Sequence, residues 1–193
     1  VGTAHDHAVA LIGRRGLGKS SVLHQLQLDE QYVPCLVSLG TLELTSEAAL
    51  IAALVAEIRL TLDQTGASTY RLPDWPEDTG EETHLRDWFQ TDYLGVALSA
   101  LRVRHLLLML DDAHLLIEAI ERGVLPGDFM HYLGDLLAAY ERLDLVLALD
   151  SAYENRILSI DLLNDPNLHV RLAELSHADA ERLVSEPVAD ILR

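Results

Sequence analysis

Gly13, Gly16, Gly18, Lys19 and Ser20 fall within one eight-residue stretch, Gly-Arg-Arg-Gly-Leu-Gly-Lys-Ser, whose spacing is G-x-x-x-x-G-K-S. These residue types at this spacing fit the grip of a polyphosphate. Glycines let the backbone curl until successive N–H groups point inward at one anion. A lysine adds a mobile positive charge for the outer phosphates, and a serine hydroxyl can ligate Mg²⁺. A helix starting at that point aims the positive end of its dipole at the same anion. The candidate phosphate-binding residues are Gly13, Arg14, Arg15, Gly16, Leu17, Gly18, Lys19, Ser20 and Ser21. Ser20 is the expected Mg²⁺ ligand, and Lys19 also acts on the reacting phosphate.

A second acidic element completes this chemistry. The apolar run Leu106–Leu110 ends in Asp111-Asp112. A buried strand of a parallel sheet delivers such residues to its carboxyl edge, where ligands of open α/β folds bind. Asp111 is assigned to Mg²⁺, through its water shell, and Asp112 to orienting or deprotonating the attacking water. The next strand-type run ends at Asp150-Ser151. Ser151 is the better candidate to reach the phosphate or the water, because a further carboxylate would repel the phosphate. Arg156 can serve as a charge sensor, although most arginines are simply surface residues. His5 and His7 flank Asp6, and His114 follows Asp112 by two. None of these pairs has zinc-binding spacing, so no structural metal is expected. No G-x-S-x-G elbow supports serine hydrolase chemistry.

The elements that must position these residues alternate between strand and helix. Ala8–Ile12 reads as a buried strand before the loop, with Val22, Leu23 and Leu26 at helical spacing after it. Tyr32–Leu39 reads as a second strand, with Pro34 near its start suiting a strand entry or an edge position. A long helix from about Ser46 to Thr65 carries Leu50, Ile51, Leu54, Val55, Ile58 and Leu62 on one face; Thr45 or Ser46 can cap its start and Gly66 can end it. Residues 67–83, with Pro73, Pro76, Gly80 and several acids, read as an acidic loop or insertion. A helix over about His84–Arg102 follows, then the strand His105–Asp111, a connection and helix to about Arg142, and a strand Leu145–Leu149. After the Asn164–Asn167 turn, His169–Leu172 suits a fifth short strand. Ser176-x-x-Asp179 is a capping-box start, and Pro187 opens a further turn. The pattern specifies an α/β fold with a parallel sheet, as one domain over residues 1–193.

Bulk properties agree with this. The chain has 193 residues, 49% of them hydrophobic, which suits one ordinary domain rather than a disordered segment. No apolar run approaches bilayer-spanning length, and the first residues lack a signal-peptide pattern. One cysteine, Cys35, cannot form an internal disulfide. A cytoplasmic protein is expected. The net charge of −17 disfavours nucleic-acid binding by this segment, since a phosphate backbone is repelled overall. Only Arg102 and Arg104 come close to a basic cluster outside the loop.

With both elements placed, the chain resembles STAND-type signal-transduction ATPases, which are P-loop proteins related to the AAA+ group. Four stretches carry the resemblance: Val9–Leu23, Tyr32–Leu39, Leu106–His114 and Val170–Val188. The first is sharply specific; the others match at the level of pattern. The resemblance implies a three-layer sandwich whose five-stranded parallel sheet has the order 5-1-4-3-2, with helices on both faces. It implies ATP and Mg²⁺ in the cleft, and slow hydrolysis that resets a switch. Residues 176–193 match the start of the connection to a helical lid; the chain stops before the lid and winged-helix region. Asp112 stands where many relatives carry Glu, which shortens the reach to water. Expected partners are flanking domains of a longer protein, and further copies of the chain when ATP binds. Two other functions compete with a regulatory switch. A small-molecule kinase would need arginines over its acceptor, yet only Arg122 lies between Asp112 and Arg142. An AAA+-like ATPase acting on nucleic acid runs against the net charge. The absence of an Asn-Lys-x-Asp motif favours adenine over guanine.

Overall fold

Alternation along five strand-type runs decides which side chain enters which half of the core. The computed structural model describes residues 7–26, 31–76, 82–157 and 161–174. The expected features over 176–193, including the lid connection and Pro187, lie outside the described residues, as do His5 and Asp6. The strands are β1 (Ala8–Gly13), β2 (Tyr32–Ser38), β3 (His105–Asp111), β4 (Leu143–Asp150) and β5 (His169–Arg171). All pairings are parallel, in the order β2-β3-β4-β1-β5, which is the expected 5-1-4-3-2 read from the other side. Pro34 lies in β2, an edge strand, where its missing N–H costs no ladder bond if it faces outward.

The helices are α1 (Lys19–Leu26), α2 (Glu47–Gln64), α3 (Glu82–Asp87), α4 (Gly95–Ala100), α5 (His114–Glu121), α6 (Phe129–Ala139) and α7 (Glu154–Ile157). One sheet face presents Ile12, Val37, Leu108, Leu110, Leu145 and Leu147 to a large cluster that includes α2, α4, α5 and α6. The other presents Leu11, Leu107, Met109, Val146 and Ala148, with Leu23 of α1 packed among them. Helices therefore cover both faces, giving three layers.

Local chemistry sets the helix limits. Ser46 caps α2 by accepting from the Ala49 N–H at 3.1 Å, and Gly66 ends it at φ +69°. Between α3 and α4 the chain does not stay α-helical: Trp88–Leu94 winds as a π-helix. Phe89, Tyr93 and Leu94 are buried by it, and the Tyr93 hydroxyl donates to Val55 O at 2.9 Å. The helix expected to run to Arg142 is two helices, because Gly123 (φ +70°) turns the chain after α5 and Pro126 precedes α6.

Arg102, just past α4, has φ 59°, a left-handed backbone that costs a non-glycine residue about 1–2 kcal/mol. At the sheet edge where β3 begins, Asp144 of β4 accepts from His7 Nδ1 (2.9 Å) and His105 Nδ1 (2.7 Å). Cys35 is buried in β2, and that burial pushes its thiol pKa up to about 12, so it is protonated at neutral pH.

Glu47, at the first turn of α2, is 1% exposed and meets the Arg86 guanidinium through two hydrogen bonds; Arg86 also reaches the exposed Asp128. Removing the cation leaves a buried carboxylate without a partner. Arg86→Met is expected to lower the unfolding free energy by about 3 kcal/mol or more. Changing Glu47 to Leu in the same chain should restore much of that loss. Urea denaturation of the single and double variants measures both effects.

Candidate functional site

The loop between β1 and α1 curls through two glycines in the left-handed region, Gly16 and Gly18, both at φ +86°. This is the conformation for which glycine is required. Leu17 N–H donates to Arg14 O (3.3 Å), and Val22 N–H donates to Gly18 O (3.0 Å) to open the helix. Gly13 serves a different need. A Cβ there would stand 3.1 Å from Leu172 Cβ, because the chain leaving β5 is bonded to β1 by Leu172 N–H to Ile12 O at 2.8 Å.

Ser20 and Asp111 meet although 91 residues separate them. The Ser20 hydroxyl donates to Asp111 Oδ2 at 2.6 Å, and the other Asp111 oxygen accepts from the Asp112 N–H at 2.9 Å. Asp111 is 8% exposed. Lys19 is equally buried, its ammonium donating to Gly13 O (2.7 Å) and Arg14 O (3.1 Å). A charged amine is thus held at the loop by carbonyls that bring no charge of their own, leaving it available to an anion. Arg14, Arg15, Gly16 and Ser21 are exposed on the same loop and the first turn of α1.

Asp112 occupies a second left-handed position, φ 55°. The turn it makes sends Ala113 N–H to Ala148 O at 2.8 Å and starts α5. Its carboxylate lies against the turn after β2: a Cβ on Gly40 would be 2.7 Å from Asp112 Oδ2. Sequence reasoning missed Gly40. Its placement one residue past an apolar strand was the available signal, since glycine there marks close backbone approach.

β4 pairs Asp150 with Gly13, which sets Ser151 level with the start of the loop. Ser151 lines a cleft of about 320 Å³ with Gly13, Arg14, Leu17, Arg171 and Leu172. Asp150 is occupied with its own turn, accepting from Ala152 N–H at 2.9 Å. Arg156 pairs with Glu121 at 3.0 Å and covers the Tyr153 ring. The Tyr153 hydroxyl donates to Glu118, while the His114 ring lies 5.0 Å from the Tyr153 ring with Nδ1 buried and unpaired. Among the described residues, no group of His, Cys, Asp or Glu side chains has the makings of a metal cage. A divalent cation here would draw on one hydroxyl and one carboxylate, which suits Mg²⁺ retaining several waters.

No protein-family model matches the chain, and no curated protein does. Among solved structures, the ORC2 protein of Aeropyrum pernix, determined in ADPNP–ADP complexes, is 14% identical with a TM-score of 0.46; the match covers 86% of this chain and 41% of that one. The cytoplasmic domain of the Type VII secretion ATPase EccC of Thermomonospora curvata is 19% identical with a TM-score of 0.40, covering 89% of this chain and 20% of that one. This chain therefore spans well under half of either protein, and neither likeness is close enough to bear on function. No helix among the described residues is long and apolar enough to cross a membrane.

Nothing lies within 4 Å of a Cβ built on Gly16. Gly16→Ala should therefore suffer backbone strain alone, about 1–2 kcal/mol, with no clash. Thermal denaturation should register a modest loss. An unchanged midpoint would mean that the loop does not need its left-handed turn.

Proposed function

We propose that this chain is the nucleotide-binding core of a Mg²⁺-dependent ATPase that works as a regulatory switch. One observation carries the reading: the 2.6 Å contact of Ser20 with Asp111, at the carboxyl edge of a parallel sheet and beside a doubly left-handed glycine loop. The loop N–H groups hold the phosphates, and Lys19 exchanges the carbonyls of Gly13 and Arg14 for phosphate oxygens. Ser20 and Asp111 would hold Mg²⁺, which when bound would supply charge neutralisation for the outer phosphates. Asp112 orients the attacking water, for which its carboxylate turns from its place against Gly40. The cleft beside Leu17, Ser151 and Leu172 suits the nucleoside end, with adenine favoured by the lack of a guanine-reading motif.

A switch requires that nucleotide bind one conformation better than another. The resemblance to signal-transduction ATPases supports that reading, with flanking domains of a longer protein as the parts that respond. Self-association on ATP binding is the corresponding expectation for an isolated core. The paired carboxylates Asp111 and Asp112 support water as the acceptor, in preference to a small-molecule hydroxyl.

Titration with a fluorescent ATP analogue and Mg²⁺ tests the binding half. Lys19→Ala should weaken affinity about 10–100-fold, as expected for loss of hydrogen bonds to a charged group. Equal affinity would remove Lys19 from the site. Asp112→Asn should retain nucleotide and lose phosphate release; undiminished turnover would exclude Asp112 from the reaction.

Gly40→Ala gives a subtler test. The added methyl meets the free end of the Asp112 side chain, which can turn aside, so the fold should survive. Turnover should change by more than affinity does. A proportional change in both would disconnect Gly40 from the carboxylate's role.

A further inference from the structure

At the sheet edge opposite the phosphate loop, where β3 begins, the ends of α2 and α4 enclose a groove of about 1110 Å³. Among the described residues no Asp or Glu lines it; Arg71, Arg102 and Arg104 do. Three arginines elsewhere are matched to carboxylates: Arg86 to Glu47 and Asp128, Arg156 to Glu121, Arg171 to Glu154. In the groove Arg71 turns to Tyr70, donating to its hydroxyl at 2.6 Å. Arg102 and Arg104 are fixed through their backbones, by Arg102 N–H to Ser99 O and Arg104 N–H to Leu101 O. Among the described residues, no carboxylate pairs with either guanidinium.

Part of the wall is aliphatic. Val96, Ala100, Leu101 and Val103 contribute, and Val103 is 87% exposed. A second concavity of about 390 Å³ shares Val103 and Arg104 and extends to Tyr32 at the start of β2. The result is one trough with cations and aliphatic surface side by side. A basic residue after a helix complements the helix dipole, but that benefit does not require a left-handed backbone. Glycine is the residue that relieves such a position. Arginine at Arg102 keeps the strain, and strain of this kind collects at binding surfaces.

We propose that this trough binds an extended acidic segment of a partner protein. Alternate residues of an extended chain face one side. Carboxylates on one side can meet Arg71, Arg102 and Arg104 while apolar neighbours lie on Val96, Ala100 and Val103. A nucleic-acid strand fits less well. The well-exposed ring in the trough, Tyr70, already carries Arg71 over its face, whereas single strands are held on successive aromatic platforms. The site is separate from the phosphate loop and does not rest on the nucleotide reading.

Fluorescence anisotropy with a fluorescein-labelled peptide of alternating Glu and Val tests it on the intact chain. Saturable binding is expected, weakening as salt rises from about 50 to 300 mM, with no binding of the matching Lys–Val peptide. Arg102→Gly should lower affinity about fivefold and Arg104→Ala about fivefold, with more than tenfold loss in the double variant. Because Arg102→Gly relieves strain, its melting temperature should equal or exceed that of the parent. Absence of saturable binding, affinity unchanged in the double variant, or tighter binding of an oligothymidine of similar length would each overturn the proposal. So would concentration-dependent self-association that Arg102→Gly abolishes, since the occupant would then be a second copy.

Discussion

A single hydrogen bond, Ser20 to Asp111, joins two parts of the chain that sheet pairing alone would leave apart. Their strands are not neighbours: β4 lies between β1 and β3. The chain closes that gap because the connection from β1 must travel past β4 and β3 to β2. α1 therefore crosses the sheet face, with Leu23 buried among Leu107, Met109, Val146 and Ala148. The crossing carries the first turn of α1 over to the end of β3. Apolar burial fixes the path, and the polar contact at its end follows from that path. The site depends on strand order as much as on the residues that form it.

The second carboxylate is placed by a different device. Asp112 sits in a left-handed conformation that Asp tolerates better than most residues. That turn lets Ala113 bond to β4 while the side chain faces the β2 turn. Adjacent acids thereby point to different surroundings: Asp111 toward Ser20, Asp112 toward Gly40. Two neighbouring charges held apart in this way can take separate roles without competing for one partner.

The strand runs and the glycine loop were legible because each rests on short-range rules. Apolar residues at strand spacing gave all five strands, and the G-x-x-x-x-G-K-S spacing placed the loop before its helix. Pro34, lacking a donor, suited a strand entry or an edge, and β2 is an edge strand. Other features depended on contacts that no local pattern carries. The π-helix at Trp88–Leu94 lets Tyr93 reach the carbonyl of Val55, a residue 38 positions away. The break after α5 turns on Gly123, whose left-handed backbone starts the turn toward α6. Gly40 and Asp112 are paired only once β2 and β3 lie side by side. Tyr153 and Glu118 meet only when the end of β4 reaches α5. The aliphatic and basic trough needed the ends of two helices to converge.

The proline in β2 bears on how separate molecules meet. A parallel sheet with an open outer strand offers a template for further strands, and exposed edges are routes to aggregation. Here the outer strand β2 carries Pro34, which has no N–H to offer, and the strand at the far side, β5, is three residues long. Edge-to-edge growth of one sheet into another is therefore blunted at both ends. Association between copies is left to side-chain surfaces, which charge and ligand can regulate.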